Sequence, residues 1–237
     1  GNSGGSGTAK AYSGSVNTTS GFSIIKYIGN GSAGHTIPHH LSAIPKMMII
    51  KTLGDNQWQV YHEAMGNTKK MCLDDTSAQS VQSNRWNDTT PTTSVFTLGN
   101  HVSVNSNDVV YIAYLFAEKQ GYSKFGSYTG SGNADGPFTY TGMKPAFILL
   151  KRTDVAKNWY INDNKRLGYN PSNPYLSPNL SAAATGGAEI NILSNGFKIT
   201  ASGSGHNASG GTYLYMALAE NPFVTSTGNG SIPTTAR

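Results

Sequence analysis

Aromatic side chains set among polar residues are the best candidates for ligand chemistry in this sequence. Trp86 is flanked by Arg85 and Asp88 and precedes a Thr/Pro-rich turn, while Tyr169 and Tyr175 lie in a segment rich in proline and asparagine. Sugar sites combine an aromatic face, which packs on C–H groups, with planar polar side chains that bind hydroxyls. We therefore predict a ligand site at Trp86 with Arg85 and Asp88, and a second at Tyr169 and Tyr175. The alternative is that these aromatic residues cover the edges of a β core.

The carboxylates give no comparable signal for catalysis. Glycoside hydrolysis needs two carboxyl groups that face each other across a sugar, and the chain has only four glutamates. Glu118 and Glu220 end equivalent strands of an internal repeat described below, so architecture explains their positions better. We expect a protein without enzymatic activity and without a catalytic residue. A polysaccharide depolymerase is the weaker alternative, because aspartates such as Asp74 and Asp75 could join another carboxylate after folding.

Metal-binding patterns are equally weak. The segments Asn105–Asp108 and Asp55–Asn56 carry side-chain oxygens of the kind that calcium prefers, but turns favour the same residues for backbone reasons. His35, His39 and His40 bracket Pro38, so no HxxxH motif on a helix, as zinc sites use, is available. We predict no cofactor and no metal, with calcium in a loop left open.

Composition restricts the architecture that positions these residues. Only 12% of residues are charged, about half of the ~25% that is usual in globular proteins, and Gly, Ser, Thr and Asn fill the difference. Such residues favour short strands and turns over helices. The aliphatic run Met47–Ile50 is far shorter than the ~18 residues of a membrane helix, and the single Cys72 excludes an intrachain disulfide. Scattered basic residues argue against nucleic-acid binding despite the net charge of +5.

An internal repeat organises the chain. Four pairs of sequence features recur in the same order with an offset of about 100 residues: Tyr27–Gly31 and Tyr128–Gly132, Pro45–Lys51 and Pro145–Lys151, Trp58 and Trp159, and Tyr111–Glu118 and Tyr213–Glu220. Matched anchors in the same order indicate a tandem duplication.

The repeat predicts an all-β fold of two antiparallel β-sandwich or jelly-roll-like units packed together. We assign residues 21–120 to repeat 1 and residues 121–223 to repeat 2, between a flexible lead-in at 1–20 and a polar tail at 224–237. The closing strands Val109–Glu118 and Thr212–Glu220 are apolar on both faces, which predicts central positions in their sheets. Trp58 and Trp159 lie in predicted strands, so we interpret both as core residues.

Several strings resemble a duplicated domain of unknown function that is found in tail-fibre-like virion proteins of tailed bacteriophages, often from marine hosts. They are Arg85–Thr92, Ala117–Glu118, Gly121–Gly130, Lys144–Phe147 and Ala219–Phe223. The resemblance spans residues 21–223, and it supplies no catalytic motif that could be transferred to this chain. It implies a location on the virion, in the tail or on the particle surface, and a role in host contact or virion structure.

Together, the residues and the resemblance predict a receptor-binding tail-fibre module that adheres to host cell-surface glycans through loop aromatics. The alternative is a purely structural component, such as a capsid decoration or a tail scaffold. Expected partners are the glycan, other virion proteins and further copies of the chain. We expect a homo-oligomer, with a trimer favoured because phage fibres are commonly trimers and a charge-poor surface does little to prevent self-association.

Overall fold

The computed structural model describes residues 1–166, 170, 174–187 and 189–222, and it shows an all-β protein. Strands account for 44% of the chain and helices for 5%, which confirms the fold class that the turn-rich composition predicts. The chain forms two compact units. Unit 1 comprises Gly1–Asp75 and Gln79–Glu118, and unit 2 comprises Thr76–Ala78 and the chain from Lys119 onward. None of the helices in the described ranges is long and apolar enough to span a membrane.

Unit 1 consists of two antiparallel sheets. Its strands are β1 (Gly4–Gly5), β2 (Tyr12–Asn17), β3 (Phe22–Ile28), β4 (His35–Pro38), β5 (Pro45–Thr52), β6 (Gln59–His62), β7 (Lys69–Cys72), β8 (Ser80–Val81), β9 (Val95–Leu98) and β10 (Val110–Ala117). Short helical turns interrupt them: a 3₁₀ turn at Glu63–Met65, α1 (Ser83–Trp86) and α2 (Val102–Asn105). The larger sheet has the strand order β2-β3-β10-β5-β6-β7-β8, and the smaller has the order β1-β4-β9.

Unit 2 also builds two antiparallel sheets from its described residues. Its strands are β11 (Ser123–Thr129), β12 (Phe138–Tyr140), β13 (Pro145–Arg152), β14 (Trp159–Asp163), β15 (Ile190–Leu193), β16 (Gly196–Ile199) and β17 (Thr212–Ala219). The strand orders are β11-β17-β13-β14 and β12-β16-β15.

The two long closing strands occupy the central positions that their apolar faces predict. β10 pairs with β3 and β5, and β17 pairs with β11 and β13, all antiparallel. Along β10, residues alternate between fully buried and half-buried. One face of β10 therefore supplies the core of unit 1, while the other carries Ile112, Tyr114 and Phe116 in half-buried positions.

A pair of stacked tyrosines stands at the centre of each unit. In unit 1, the rings of Tyr27 and Tyr111 stack at 5.2 Å, and Tyr27 meets Phe96 of the smaller sheet edge-on at 6.0 Å. In unit 2, Tyr128 and Tyr213 stack at 4.8 Å. Because Tyr27 contacts residues of both sheets, unit 1 has the layered packing of a β-sandwich. Burial raises the pKa of Tyr27 and Tyr128 well above the usual value, so both hydroxyls stay protonated.

The same hydrogen bonds recur around these tyrosines. Tyr27 donates to the carbonyl of Val104 (2.7 Å), and Tyr128 donates to the carbonyl of His206 (2.7 Å). The strand order β3-β10-β5-β6 in unit 1 likewise corresponds to β11-β17-β13-β14 in unit 2. The two units therefore use the same local construction, and the ancestral duplication stays a prediction.

The predicted flexible lead-in at residues 1–20 is wrong. β2 pairs with Phe22–Tyr27 of β3, and β1 pairs with β4, so this segment adds one strand to each sheet of unit 1. Ser3 anchors it, because its hydroxyl lies 2.6 Å from Nε2 of the buried His35. Small residues permit the pairing rather than indicating disorder: a Cβ on Gly14 would lie 2.4 Å from the carbonyl oxygen of Ile24. The predicted tail at 224–237 lies outside the described residues.

Candidate functional site

The predicted site at Trp86 is wrong, because the side chain belongs to the core. Trp86 is 0% exposed, its Nε1 donates to the carbonyl oxygen of Lys69 at 2.9 Å, and its ring meets Tyr61 edge-on at 5.9 Å. The four-residue helix α1 ends at Trp86 and directs it inward. Asn87 and Asp88 follow with φ values of 52° and 46°, a left-handed conformation that Asn and Asp tolerate better than most residues. Backbone geometry therefore explains the polar neighbours of this tryptophan.

Arg85 and Asp88 also do not act as the predicted polar ligands. Arg85 is 6% exposed, and its guanidinium donates to Gln59 Oε1 at 2.9 Å and to Asn84 Oδ1 at 2.7 Å. Burial lowers its pKa, chiefly through desolvation. Asp88 is exposed, and its backbone carbonyl accepts a hydrogen bond from Asn67. The three residues therefore share no binding surface.

The structure describes only one of the two residues of the second predicted site. Tyr169 lies outside the described residues, so its place in a site stays a prediction. Tyr175 is partly buried and meets Tyr160 edge-on, with ring centroids 4.9 Å apart. Its ring also lies 5.5 Å from that of His206. Tyr175 is therefore packed within an aromatic cluster of unit 2 and is not an isolated loop platform.

An open aromatic pocket instead lies on the outer face of the larger sheet of unit 1. It has a volume of about 270 Å³ and is lined by Lys51, Thr52, Leu53, Trp58, Ile112 and Tyr114. We call it the Trp58 pocket. The indole of Trp58 is partly exposed and stacks on Tyr114, with ring centroids 6.3 Å apart and planes 20° from parallel.

Neighbouring strands position the pocket. Ile112 and Tyr114 are alternate residues of β10, on the face that points away from the core. Lys51 is opposite Ile112 in the register of β5 with β10. Trp58 directly precedes β6, and its backbone is fixed at both ends: its N–H donates to Asp74 Oδ1 (3.1 Å), and its carbonyl accepts from Leu73 (3.0 Å).

The turn between β5 and β6 forms the rim. Lys51 Nζ donates to the carbonyl oxygens of Thr52, at 2.9 Å, and of Gly54. The hydroxyl oxygen of Thr52 accepts from the Gly54 N–H at 3.3 Å. Leu53 is 69% exposed at the tip. The pocket thus combines two stacked aromatic rings, an aliphatic wall and one ammonium group. Such a surface can bind a ring that has an apolar face and polar substituents.

Sequence reasoning missed this pocket because it treated Trp58 and Trp159 as equivalent. Trp159 is fully buried, as predicted, but the prediction for Trp58 is wrong. In unit 2 the buried Lys151 donates to the carbonyl oxygens of Thr76 (2.8 Å) and Lys157. Thr76, which is distant in sequence, therefore lies next to Lys151, the residue opposite Trp159 in the register of β13 with β14. The sequence signal that could have indicated the pocket was the second apolar face of β10. That face carries Tyr114, whose ring lines the pocket together with the indole of Trp58.

A second group of chemically capable side chains surrounds His206 in unit 2. His206 is 3% exposed, its Nδ1 lies 3.6 Å from Glu189 Oε2, and its ring packs 4.2 Å from that of Tyr160. Within the described ranges, His206 Nε2 and Glu189 Oε2 lack a hydrogen-bond partner. Two tyrosine rings, those of Tyr160 and Tyr175, pack against the imidazole, so this cluster is a packed interior feature.

Burial controls the protonation of this cluster. It lowers the pKa of His206 to about 3 and raises that of Glu189, in both cases through desolvation. Both shifts favour the uncharged forms and therefore disfavour an ion pair between the two groups. The imidazole is neutral in the folded protein across the physiological pH range.

Asn105 and Asp108, two of the loop residues considered for calcium, are engaged in other interactions. Asn105 accepts from the Asn30 N–H and donates to the carbonyls of Ser32 and Gly99, and Asp108 pairs with Lys10. Across the part of the chain that the structure describes, His, Cys, Asp and Glu side chains form no group of three or more that could hold a metal ion. The absence of a metal stays a prediction, and loop calcium stays the open alternative without an assigned ligand set.

The fold and the pocket define an all-β protein of two sandwich-like units with an aromatic surface pocket. The chain belongs to a family described as a domain of unknown function, DUF7483, which matches residues 1–222. This match confirms the predicted resemblance to a domain of unknown function, and it begins at residue 1 where the resemblance was expected from residue 21. No curated protein and no solved structure matches the chain.

Proposed function

We propose that this protein is a non-enzymatic adhesion module that contacts host cell-surface glycans through the Trp58 pocket. The observation that carries the proposal is the partly exposed indole of Trp58, held parallel to Tyr114 at the mouth of an open pocket. A fixed aromatic face in contact with solvent suits the C–H face of a sugar ring. Lys51 lies beside it as a potential partner for an oxygen or an anionic substituent of the sugar.

The pocket is shallow, and one such contact binds weakly. A single sugar stacked on one aromatic group is expected to bind with a Kd of roughly 1 mM, about −4 kcal/mol. Many copies on one particle convert later contacts into intramolecular events, which raises avidity by about 10²–10⁴. Weak sites in many copies therefore suit reversible adhesion to a surface.

The proposed setting is the surface of a bacteriophage particle, as part of a tail fibre. Its support is the resemblance of Arg85–Thr92 and Gly121–Gly130 to strings of phage virion proteins. In that setting the chain assembles as a homo-oligomer, with a trimer favoured, and contacts other virion proteins.

A multivalent display of the intact chain on a glycan array tests the proposal. We expect Trp58→Ala to reduce glycan binding at least tenfold, because it removes the stacking face, while Trp58→Phe retains part of the binding. Trp159→Phe is the matched control, since it changes a tryptophan at the corresponding repeat position that is fully buried. Wild-type binding by a folded Trp58→Ala variant would refute the Trp58 pocket as the glycan site.

A purely structural virion component is the second candidate. The burial of Trp86 favours it, because this residue was the leading loop aromatic for ligand binding. This alternative predicts no glycan binding on any array and the same particle assembly for wild type and Trp58→Ala. Loss of host-cell attachment in the Trp58→Ala variant with normal assembly would exclude it.

A further inference from the structure

Strand β12 ends the smaller sheet of unit 2. Within the described residues, β12 pairs with β16 on one side, and the sheet continues to β15. Phe138 and Tyr140 of β12 are 47% and 64% exposed. A sheet edge presents backbone N–H and C=O groups to any strand that can pair with it.

Hydrogen bonds show which backbone groups face this edge. The carbonyl of Pro137 accepts from the Ile199 N–H at 3.1 Å, and the Thr141 N–H donates to the carbonyl of Asn195 at 3.0 Å. In an antiparallel strand, alternate residues turn their backbone groups to opposite sides. The N–H and C=O groups of Phe138 and Tyr140 therefore point away from β16, toward the open edge.

Unit 1 shows what occupies the corresponding edge there. The Gly34 N–H donates to the carbonyl of Leu98 at 2.8 Å, as the Gly136 N–H donates to that of Ile199 at 3.1 Å, so β4 corresponds to β12. In unit 1, β1 adds to the outer side of β4, with Gly4 opposite Thr36. This added strand comes from the segment before repeat 1.

The contacts of β1 with β4 also show which residues a strand docked at such an edge can carry. The Ser6 N–H donates to the carbonyl of Gly34 at 2.9 Å. Gly5 has a φ of 74°, and a Cβ on it would lie 2.2 Å from that same carbonyl oxygen. The strand that docks on the edge of β4 therefore needs a glycine at this position.

The edge in unit 2 offers more donors than its counterpart. Pro38 ends β4 and has no N–H, whereas the corresponding Tyr140 of β12 has one. The edge of β12 thus presents the N–H and C=O of both Phe138 and Tyr140. The exposed rings of these residues provide an apolar surface beside it.

We propose that the β12 edge is a docking site for an extended, glycine-containing peptide strand of another polypeptide. The strand adds antiparallel, as β1 does in unit 1, with its glycine next to Gly136 and the preceding residue opposite Phe138. Main-chain hydrogen bonds supply the attraction, and the glycine requirement supplies the selectivity. This strand-addition site is separate from the proposed glycan site, and either can fail without the other.

Amide NMR on the intact ¹⁵N-labelled chain tests the proposal, with an acetylated peptide of residues 1–8 as the probe. In the free chain we expect fast hydrogen exchange at Phe138 and Tyr140 and slow exchange at Thr139. Peptide at millimolar concentration should shift these amide signals and slow the exchange of Tyr140. The same peptide carrying Gly5→Ala should not bind.

Two substitutions at Tyr140 separate backbone pairing from side-chain contact. Tyr140→Pro removes an edge N–H, as Pro38 does in unit 1, without removing a bond to β16. We expect it to weaken peptide binding about fivefold, equivalent to one hydrogen bond of roughly 1 kcal/mol. Tyr140→Ala keeps the N–H and should weaken binding less. Equal losses in both variants would overturn strand addition in favour of an aromatic contact.

The free chain supplies two further outcomes that would overturn the proposal. Slow exchange at Tyr140 at every protein concentration would mean that the chain's own remaining segments cover the edge. Slow exchange only at high protein concentration would mean that a second copy pairs there. An unchanged spectrum with several millimolar peptide would refute the docking site directly.

Discussion

Replacing His206 with valine tests whether a buried neutral imidazole makes unit 2 sensitive to acid. Tyr128 donates to the carbonyl of His206 just as Tyr27 donates to that of Val104 in unit 1. Valine therefore occupies the matching position of unit 1, where it is fully buried. The backbone bond to Tyr128 survives the substitution, and only the titratable ring is lost.

The magnitude follows from the pKa of His206, which falls from an ordinary value of 6.5 to about 3 in the folded chain. Between these two values the unfolded chain binds a proton that the folded chain does not, so stability is lost as the pH falls. Each pH unit well inside this window changes the free energy by about 1.4 kcal/mol. From pH 7 to pH 5, His206 should therefore cost the wild type about 2 kcal/mol. The raised pKa of Glu189 acts in the opposite direction, near and above its ordinary value of 4.5.

Urea unfolding at pH 7, 6 and 5, followed by tryptophan fluorescence, measures this difference. We expect the free energy of unfolding of His206→Val to fall less than that of the wild type by about 2 kcal/mol over this range. His40→Asn is the matched control, because His40 is exposed and asparagine tolerates its φ of 61°. This control shows how much of the effect comes from losing any histidine.

If the free energies of unfolding of the wild type and His206→Val change with pH by the same amount, within about 0.5 kcal/mol, the reasoning is refuted. Differences below about 0.5 kcal/mol are not significant, because the effects of independent substitutions add only to within that margin. An equal change would mean that His206 is hydrated or protonated in the folded chain. An unfolded His206→Val variant would be replaced by His206→Gln, which removes the titration and keeps a polar side chain.

Three further predictions concern stability and are measured by thermal or urea unfolding. Trp86→Ala should lower the free energy of unfolding by about 3–5 kcal/mol, because it empties a core site, whereas the partly exposed Trp58→Ala should cost clearly less; similar costs would contradict the two burial assignments. Asn207→Ala should cost about 3 kcal/mol, since its amide makes three close hydrogen bonds to backbone groups, and a cost below 1 kcal/mol would oppose this role. Gly130→Ala should destabilise the protein strongly, because the added Cβ would lie 2.2 Å from a backbone carbonyl oxygen. Gly187→Ala is the control, because a Cβ there would have no other atom within 4 Å. Equal effects of the two substitutions would contradict the close packing at Gly130.

The sequence by itself determined the fold class and the central strands. The chain has few charged residues and many Gly, Ser, Thr and Asn residues, which favour strands and turns. Antiparallel sheets then bury the two long apolar segments that form β10 and β17. The apolar alternation of β10 places Tyr111 in the core, and the matched Tyr213 follows the same logic in unit 2. These features depend on side-chain periodicity, which is a local property of the chain.

Tertiary structure decided which aromatic residues reach solvent. Trp86 in a polar string is buried because a short helix and a left-handed turn direct its ring inward. Trp58, whose sequence neighbours are also polar, lies partly exposed in a pocket on the outer face of its sheet. Tertiary contacts also decided the structure of residues 1–20. Their glycines predict flexibility from sequence, but in the structure they allow β1 and β2 to approach the neighbouring strands closely. Such outcomes depend on contacts between residues far apart in sequence, which hydrophobic periodicity does not encode. The exposed edge of β12 is of the same kind, since it exists only because unit 2 has no counterpart of β1 among its described strands.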